Sequence, residues 1–291
     1  SSKPVHAIKN LNLEVNEGEI FGLLGPNGAG KSTFINILAG TTVKSSGEVN
    51  VWGFDIDINP RQVRASIGIV PQEVNLDPFF TPRMQLDLHA GLYGVKKKDK
   101  ITDSILKLVS LESQADSYAR SLSGGMKRRL LIAKALVHQP PILILDEPTA
   151  GVDVNLRQNL WENIKLLHSQ GVTIILTTHY LEEAEKMCDR IGILNEGNLV
   201  ALDSTQNLLN KIKTKKVIFK VDKPINVKNY ELDSLKVLSA ENNKIIFSYE
   251  KNKIKIEEII KVVQKNNVKI IDISTDDGDL EEIFLELTKN K

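Results

Sequence analysis

The chain has few of the features that mark secreted, membrane-spanning or nucleic-acid-binding proteins. Its single cysteine, Cys188, excludes an internal disulfide and suits a reducing compartment. Its 38 lysines and arginines against 37 aspartates and glutamates leave a net charge of +1, without the strong basicity of many nucleic-acid binders. It contains no apolar run near the roughly 20 residues that a membrane-spanning helix requires. We therefore expect an intracellular globular protein that binds no nucleic acid.

A glycine-rich loop lies between a short apolar run and a segment with helical spacing. Residues 25–33 read Gly-Pro-Asn-Gly-Ala-Gly-Lys-Ser-Thr and fit the phosphate-binding pattern G-x-x-x-x-G-K-[ST]. Residues 19–24 predict a strand and residues 32–39 predict a helix, the setting that this pattern needs. Backbone N–H groups of such a loop surround phosphate oxygens, Lys31 would reach the β- and γ-phosphates, and the Ser32 hydroxyl would ligate Mg²⁺. The alternative is a glycine-rich turn before an ordinary helix, which leaves this coincidence of residues and setting unexplained. The residues predicted to bind the nucleotide here are Gly25, Pro26, Asn27, Gly28, Ala29, Gly30, Lys31, Ser32 and Thr33.

Two acids follow a second apolar run. Residues 141–145 are continuously apolar and precede Asp146 and Glu147, as expected of a central parallel strand that is buried on both faces. Ligands of open α/β sheets bind at the carboxyl ends of such strands. Asp146 would partner Mg²⁺, and Glu147 would accept a proton from an attacking water. A pair of solvated acids before Pro148 is the alternative for either residue taken alone.

A third motif combines a serine and two glycines with a predicted helix. Ser123, Gly124 and Gly125 come directly before residues 126–137, whose composition and spacing favour a helix. Small residues at a helix start can bind an anion through backbone N–H groups. For an isolated Ser-Gly-Gly, a helix cap with nothing bound is the commoner interpretation.

Together these motifs resemble the Walker A, signature and Walker B motifs of ABC-type ATPases. Gln72, within Val-Pro-Gln-Glu, is similar to the family's Q-loop glutamine, and residues 150–153, which end at Asp153, resemble the D-loop. His179, after the predicted strand 172–178, resembles the switch histidine, although a histidine at a strand end can also be structural. The resemblance covers about residues 5 to 210 and implies an α/β P-loop NTPase core.

The resemblance also implies cofactors, partners and residue roles. ATP and Mg²⁺ would bind, with Ser32, Gln72 and Asp146 near the metal and Lys31 on the phosphates. Glu147 would orient and deprotonate water while Gln72 and His179 sense the γ-phosphate. Two chains would form a homodimer that holds two ATP molecules head to tail. In it, the residues of each chain that lie near the partner's nucleotide would be Ser123, Gly124, Gly125 and Asp153.

One expected element of the family is missing near the beginning of the chain. ABC ATPases usually carry an aromatic residue ahead of the first strand that stacks on adenine, whereas residues 1–6 read Ser-Ser-Lys-Pro-Val-His. The chain shows no signal peptide and begins with Ser1 instead of methionine, so we expect the native start to lie upstream.

The sequence predicts two domains. Residues 1–210 would form the ATPase domain, with a helical subdomain at about 75–135, and residues 216–291 would form a small C-terminal α+β domain. Residues 276–279, Asp-Asp-Gly-Asp, favour a polar turn that caps the last helix over a metal loop. Tails that end in a pattern like residues 280–287 occur in ATPases of ABC-2 type exporters.

These features predict the ATP-hydrolysing subunit of an exporter, acting on a separate integral membrane permease. The subunit would lie peripherally on the cytoplasmic face of the membrane. An importer ATPase shares every motif and is the main alternative. A soluble ABC ATPase is less favoured, since the chain has neither the long coiled coil of the chromosome-associated type nor the two cassettes of the ribosome-associated type.

Overall fold

The chain divides into two compact units, Ser1–Asp203 and Ser204–Lys291. This computed structural model describes residues 6–150, 154–212, 214–224, 235–265, 267–276 and 278–289. The division lies ahead of the predicted boundary at 210–216, so the short helix 205–210 belongs to the second unit.

The first unit is an α/β structure in which helices alternate with strands. Its strands are β1 (Ile20–Leu24), β2 (Asn50–Val51), β3 (Phe54–Asp55), β4 (Ile67–Val70), β5 (Ile142–Asp146), β6 (Thr173–Thr177), β7 (Arg190–Asn195) and β8 (Asn198–Ser204). Its helices are α1 (Lys31–Leu38), α2 (Pro60–Ala65), α3 (Pro82–Leu92), α4 (Thr102–Leu108), α5 (Gly124–Leu136), α6 (Val154–Ser169) and α7 (Leu181–Met187). The predicted α/β core is confirmed.

A six-stranded sheet with the order β4-β5-β6-β1-β7-β8 forms the centre of this unit. The strand pairs β4–β5, β5–β6, β6–β1 and β1–β7 are all parallel. Ile175 of β6 is paired with Ile144 of β5 on one side and with Phe21 of β1 on the other. Every residue of β1 and β6 is buried, which explains why neither strand contains a charged residue. Because β4, β5, β6 and β1 run parallel, their carboxyl ends meet at one edge of the sheet, and the loops that follow them meet there too.

The predicted helical subdomain contains α3, α4 and α5 together with three short 3₁₀ helices, at 97–99, 112–114 and 119–121. Helix α3 packs on α4 and α5, and α5 packs on β4. The close packing of α5 on β4 depends on Gly68, where a Cβ would lie 2.3 Å from the backbone oxygen of Ala135. Through this contact β4 fixes the position of α5, whose first residue belongs to the Ser-Gly-Gly motif.

The second unit is α+β. Its elements are α8 (Thr205–Asn210), β9 (Thr214–Val221), β10 (Leu235–Glu241), β11 (Lys244–Glu250), α9 (Ile256–Gln264), β12 (Ile270–Asp276) and α10 (Leu280–Lys289). The strands form an antiparallel sheet with the order β10-β11-β9-β12. Phe219 and Phe247 meet edge to face in its core, against Ile259 and Val263 of α9. Asp279 caps α10 by accepting the N–H groups of residues 281 and 282, as the sequence predicts for this turn.

Among the described residues, no helix combines the length and apolar character needed to cross a membrane.

Candidate functional site

The loop after β1 has the backbone of a phosphate cradle. Gly28 and Gly30 adopt positive φ angles of 81° and 111°, which side chains with a Cβ rarely allow. A Cβ at Gly25 would lie 2.5 Å from the Leu194 backbone oxygen, so the loop can form only with glycine there. Gly30 caps α1 without a side-chain hydrogen bond. The first-turn N–H groups of α1 therefore remain available, and they suit the oxygens of a triphosphate.

Lys31, the first residue of α1, is buried against this loop. Its Nζ donates hydrogen bonds to the backbone oxygens of Gly25 (2.6 Å) and Pro26 (3.2 Å). Burial lowers the pKa of Lys31, and the negative charges of Glu147 and Asp146 partly oppose this effect. The phosphate loop and the two acids thus lie within electrostatic reach of one another, although more than a hundred residues separate them in the sequence.

Thr177, the last residue of β6, holds both acids. Its hydroxyl donates to Asp146 Oδ1, and it accepts the N–H of Glu147 at its backbone oxygen (3.0 Å) and its hydroxyl oxygen (3.1 Å). Glu147 has a positive φ of 45°, an uncommon conformation for a residue with a side chain. The chain therefore turns sharply between Asp146 and Glu147, and the two neighbouring acids can serve different roles.

The Glu147 carboxylate is where the predicted catalytic residues meet. Gln72 Nε2 donates to Glu147 Oε2 at 2.9 Å, and His179 Nδ1 lies 3.2 Å from the same oxygen. Glu147 is buried, whereas the His179 side chain is about half exposed (49%). The structure thus brings Lys31, Gln72, Glu147 and His179 together. The hydroxyl of Ser32, the amide of Gln72 and the carboxylate of Asp146 are oxygen donors, a set that fits Mg²⁺.

The Ser-Gly-Gly motif forms the start of α5. Ser123 is its N-cap residue, with Oγ accepting the N–H of Met126 at 3.3 Å, and Gly124 is the first helical residue. In the part of the chain that the structure describes, no hydrogen bond or ion pair joins residues 123–125 to the phosphate loop. Asp153 of the predicted D-loop lies outside the described residues.

Two further residues at this site were missed by the sequence analysis. Arg128 of α5 is buried and donates to backbone oxygens of both the Gln72 loop and the segment around Glu147. Glu183 of α7 accepts the hydroxyl of Thr149 at 2.7 Å, and burial raises its pKa. The pattern Met-Lys-Arg-Arg at 126–129 does not tell which basic residue is buried, and three glutamates stand at 182, 183 and 185, so no sequence signal separates these residues from their neighbours.

The sequence of the chain is similar to those of known proteins. A family model described as ABC transporter matches residues 8–150. The Nod factor export ATP-binding protein I of Rhizobium sp. (strain N33) is 45% identical over 206 residues, covering 70% of this chain and 68% of that protein. The linearmycin resistance ATP-binding protein LnrL of Bacillus subtilis (strain 168) is 34% identical over 291 residues, covering 97% of this chain and 93% of that protein.

A solved structure with a similar fold contains the products of ATP hydrolysis. It is the dimeric structure of a post-hydrolysis state of an ATP-binding cassette bound to ADP and Pi, with a TM-score of 0.62 and 29% sequence identity. The similarity covers 70% of this chain and 93% of that one. The relative from Bacillus subtilis matches nearly the whole chain, so that likeness includes the C-terminal unit. The chain therefore belongs to the ABC transporter family, as an ATP-hydrolysing, ATP-binding subunit of the drug-exporter-like group.

Proposed function

We propose that two copies of this chain bind two ATP molecules head to tail, and that hydrolysis drives export through a separate integral membrane permease. The observation that carries the catalytic part is the meeting of Gln72 and His179 on one oxygen of Glu147. A hydrogen bond from Gln72 and the imidazole of His179 beside the same oxygen hold the buried carboxylate in place, and a general base needs a fixed orientation before it can take a proton from water.

The remaining residues supply electrostatic stabilisation. Lys31 and the N–H groups at the start of α1 neutralise the phosphates of the bound nucleotide. Mg²⁺ held by Ser32, Gln72 and Asp146 would offset the charge of the phosphate oxygens. Asp146, which is fixed by Thr177, would bind the metal, whereas the neighbouring Glu147 would accept the proton.

The signature motif completes the site from the partner chain. Ser123, Gly124 and Gly125 form a helix start whose N–H groups suit an anion, and no described contact ties them to the phosphate loop of their own chain. A head-to-tail pair would bring this helix start to the γ-phosphate on the other subunit, with Asp153 nearby. The dimeric state of the solved relative supports this arrangement.

An apolar face of α3 supports docking to a permease. Met84, Leu88 and Leu92 recur every four residues and therefore share one face, and each is more than half exposed (55%, 54% and 75%). Phe79 and Tyr118 are also exposed, and the Arg120 guanidinium lies over both rings. An exposed patch of this kind is costly in water and fits an apolar helix of a cytoplasmic permease loop. The subunit would then lie on the cytoplasmic face of the membrane.

Export is favoured over import by the relatives. Their names specify Nod factor export and linearmycin resistance, and the second matches the chain almost end to end. Purification of the subunit with its membrane partner tests this point. A permease without a separate substrate-binding protein supports export, whereas a permease together with a binding protein identifies an importer. Recovery with no membrane protein would instead favour a soluble ABC ATPase.

The composite site is tested with Glu147→Gln, which keeps the shape of the side chain and removes its basicity. We expect this variant to bind Mg-ATP, to turn over far more slowly than the wild type, and to shift from monomer to dimer in size-exclusion chromatography with light scattering. Glu182→Gln is the matched control, because Glu182 is an exposed acid of α7 that pairs with Lys186 on the surface. It should behave as the wild type.

Two outcomes contradict the proposal. Near-normal hydrolysis by Glu147→Gln removes Glu147 from the role of base. A variant that binds ATP and stays monomeric contradicts the head-to-tail site in the isolated chain.

A further inference from the structure

Arg128 lies in the second turn of α5 and uses every N–H of its guanidinium on backbone oxygens. Nη1 donates to the two residues that follow β4. Nη2 donates to the last residue of β5 and to the acid that follows it, and Nε donates to the next residue, a proline. The acceptors are Pro71 (2.6 Å), Gln72 (2.9 Å), Asp146 (3.1 Å), Glu147 (3.0 Å) and Pro148 (3.0 Å).

Arg128 is 5% exposed, and its contacts join the loops that follow the neighbouring strands β4 and β5, beyond the last paired residues Val70 and Leu145. Five backbone dipoles point their negative ends at one planar cation, which is a pattern that arginine can satisfy and lysine cannot. Burial lowers the pKa of Arg128, and the Asp146 carboxylate opposes this effect.

Two of the acceptors belong to the residues that meet at the Glu147 carboxylate. Arg128 donates to the backbone oxygen of Glu147, and Thr177 accepts the backbone N–H of Glu147. Both backbone groups of this residue, whose φ is positive, are therefore fixed by hydrogen bonds. Gln72, whose amide reaches Glu147, is held by the same guanidinium. A strained backbone persists only where its surroundings determine it in this way.

Arg128 also belongs to α5, the helix whose first turn contains Gly124 and Gly125 of the signature motif. A rigid helix passes a displacement of its first turn directly to its second turn. We propose that Arg128 is a positioning residue that links the signature motif to the catalytic side chains, so that engagement of Ser123–Gly125 sets the placement of Gln72 and Glu147 in the same chain. This inference rests on the proposed function, because the signature motif is there assigned to the partner's nucleotide.

The test compares Arg128→Lys with Arg129→Lys in the full chain. Arg129 is the neighbouring arginine of α5, and its Nη1 donates to the backbone oxygens of Val109 and Ser110, away from the acids. Both variants keep the charge and lose the planar fork. The rate of a single turnover of ATP and the Kd for a fluorescent ATP analogue are measured for each.

We expect Arg128→Lys to slow the single turnover about 100-fold, the effect of misplacing a reacting group by an ångström. The Kd should stay close to that of the wild type, because the phosphate loop is untouched. Arg129→Lys should retain the wild-type rate and Kd.

A double variant separates positioning from general damage. In the Glu147→Gln background, Arg128→Lys should cause little further loss, because the group through which it acts is already gone. The inference is overturned if Arg128→Lys keeps the wild-type rate, or if it slows the Glu147→Gln variant by the same factor as the wild type. If Arg128→Lys lacks the cooperative urea unfolding of the wild type, Arg128→Gln is measured in its place with the same two criteria. A wild-type chain that does not hydrolyse ATP would contradict the proposed function instead.

Discussion

Glu147 shows how the conformation of one residue depends on contacts with residues far from it in the sequence. Its place after an apolar strand predicts an acid at the edge of a sheet, and the resemblance to ABC-type ATPases predicts its role. Neither indicates its positive φ, nor the contacts of Thr177 and Arg128 that hold it. Such contacts join strands and helices that are distant in the chain, so local sequence patterns carry no signal for them.

His89 provides a prediction at this scale. It lies half-buried beside Tyr93, which stacks on His138 at 3.7 Å. Burial, together with the positive charges of Lys134 and His138, lowers the pKa of His89 from 6.5 to about 4. The unfolded chain binds a proton at this position below pH 6.5 and the folded chain does not until about pH 4. The contribution to stability is therefore complete above pH 6.5 and is lost as the pH falls toward 4. The loss per pH unit should be smaller than the roughly 1.4 kcal/mol of a fully buried group, because solvent screens a partly exposed one.

Urea unfolding of the wild type and His89→Gln between pH 7.5 and pH 4 measures this effect. The variant should lose less unfolding free energy over that range than the wild type. Burial also lowers the pKa of His138, so part of the slope should remain in the variant. Parallel slopes for the two proteins would mean that His89 titrates alike in both states.

At the scale of elements, most strands and helices could be predicted from local pattern. The predicted strand 172–178 contains β6, and the predicted helix 126–137 overlaps nearly all of α5. Continuous burial of the central strands and helical spacing in α5 are local properties of the sequence. The compact units divide at 203/204, ahead of the predicted boundary, and the packing of the helix 205–210 on α10 is a tertiary contact for which the local sequence has no signal.

Replacement of glycine by alanine should change the unfolding free energy in opposite directions at two positions, Gly68 and Gly91. Gly68 lies in β4, where an added Cβ would meet the backbone of α5 at Ala135 (2.3 Å) and the ring of Pro140 (3.0 Å). Backbone cannot move aside as a flexible side chain can, so Gly68→Ala should lower the unfolding free energy by about 1–3 kcal/mol. It should also slow ATP hydrolysis, because α5 carries the signature motif.

Gly91→Ala is the matched control. Gly91 is exposed near the end of α3, with nothing within 4 Å of an added Cβ. Alanine there restricts the unfolded chain and should raise the unfolding free energy by about 0.5–1 kcal/mol. Urea denaturation at equilibrium measures both variants. A loss of stability in both would mean that packing against α5 is not the cause.

At the scale of the whole molecule, the second unit has a core of its own. The buried side chains of its sheet and α9, among them Phe219, Phe247 and Ile259, form one cluster. We expect the fragment 204–291 to fold alone and to unfold cooperatively in urea. A fragment that starts at 216 should be less stable, because it loses α8, which packs on α10, and the first two residues of β9, which pair with the end of β11. Circular dichroism during urea titration distinguishes them, and equal midpoints would show that these residues contribute nothing.

The order of the central sheet has a consequence for biosynthesis. Strand β1 lies between β6 and β7, which begin at residues 173 and 190. A nascent chain therefore carries a fully apolar strand without either neighbour while the ribosome adds roughly 150 further residues. The phosphate loop, although it is encoded early, gains a folded framework only after most of the first unit has left the exit tunnel. Truncated products of interrupted translation should consequently be unable to hold nucleotide, and should depend on chaperones for solubility.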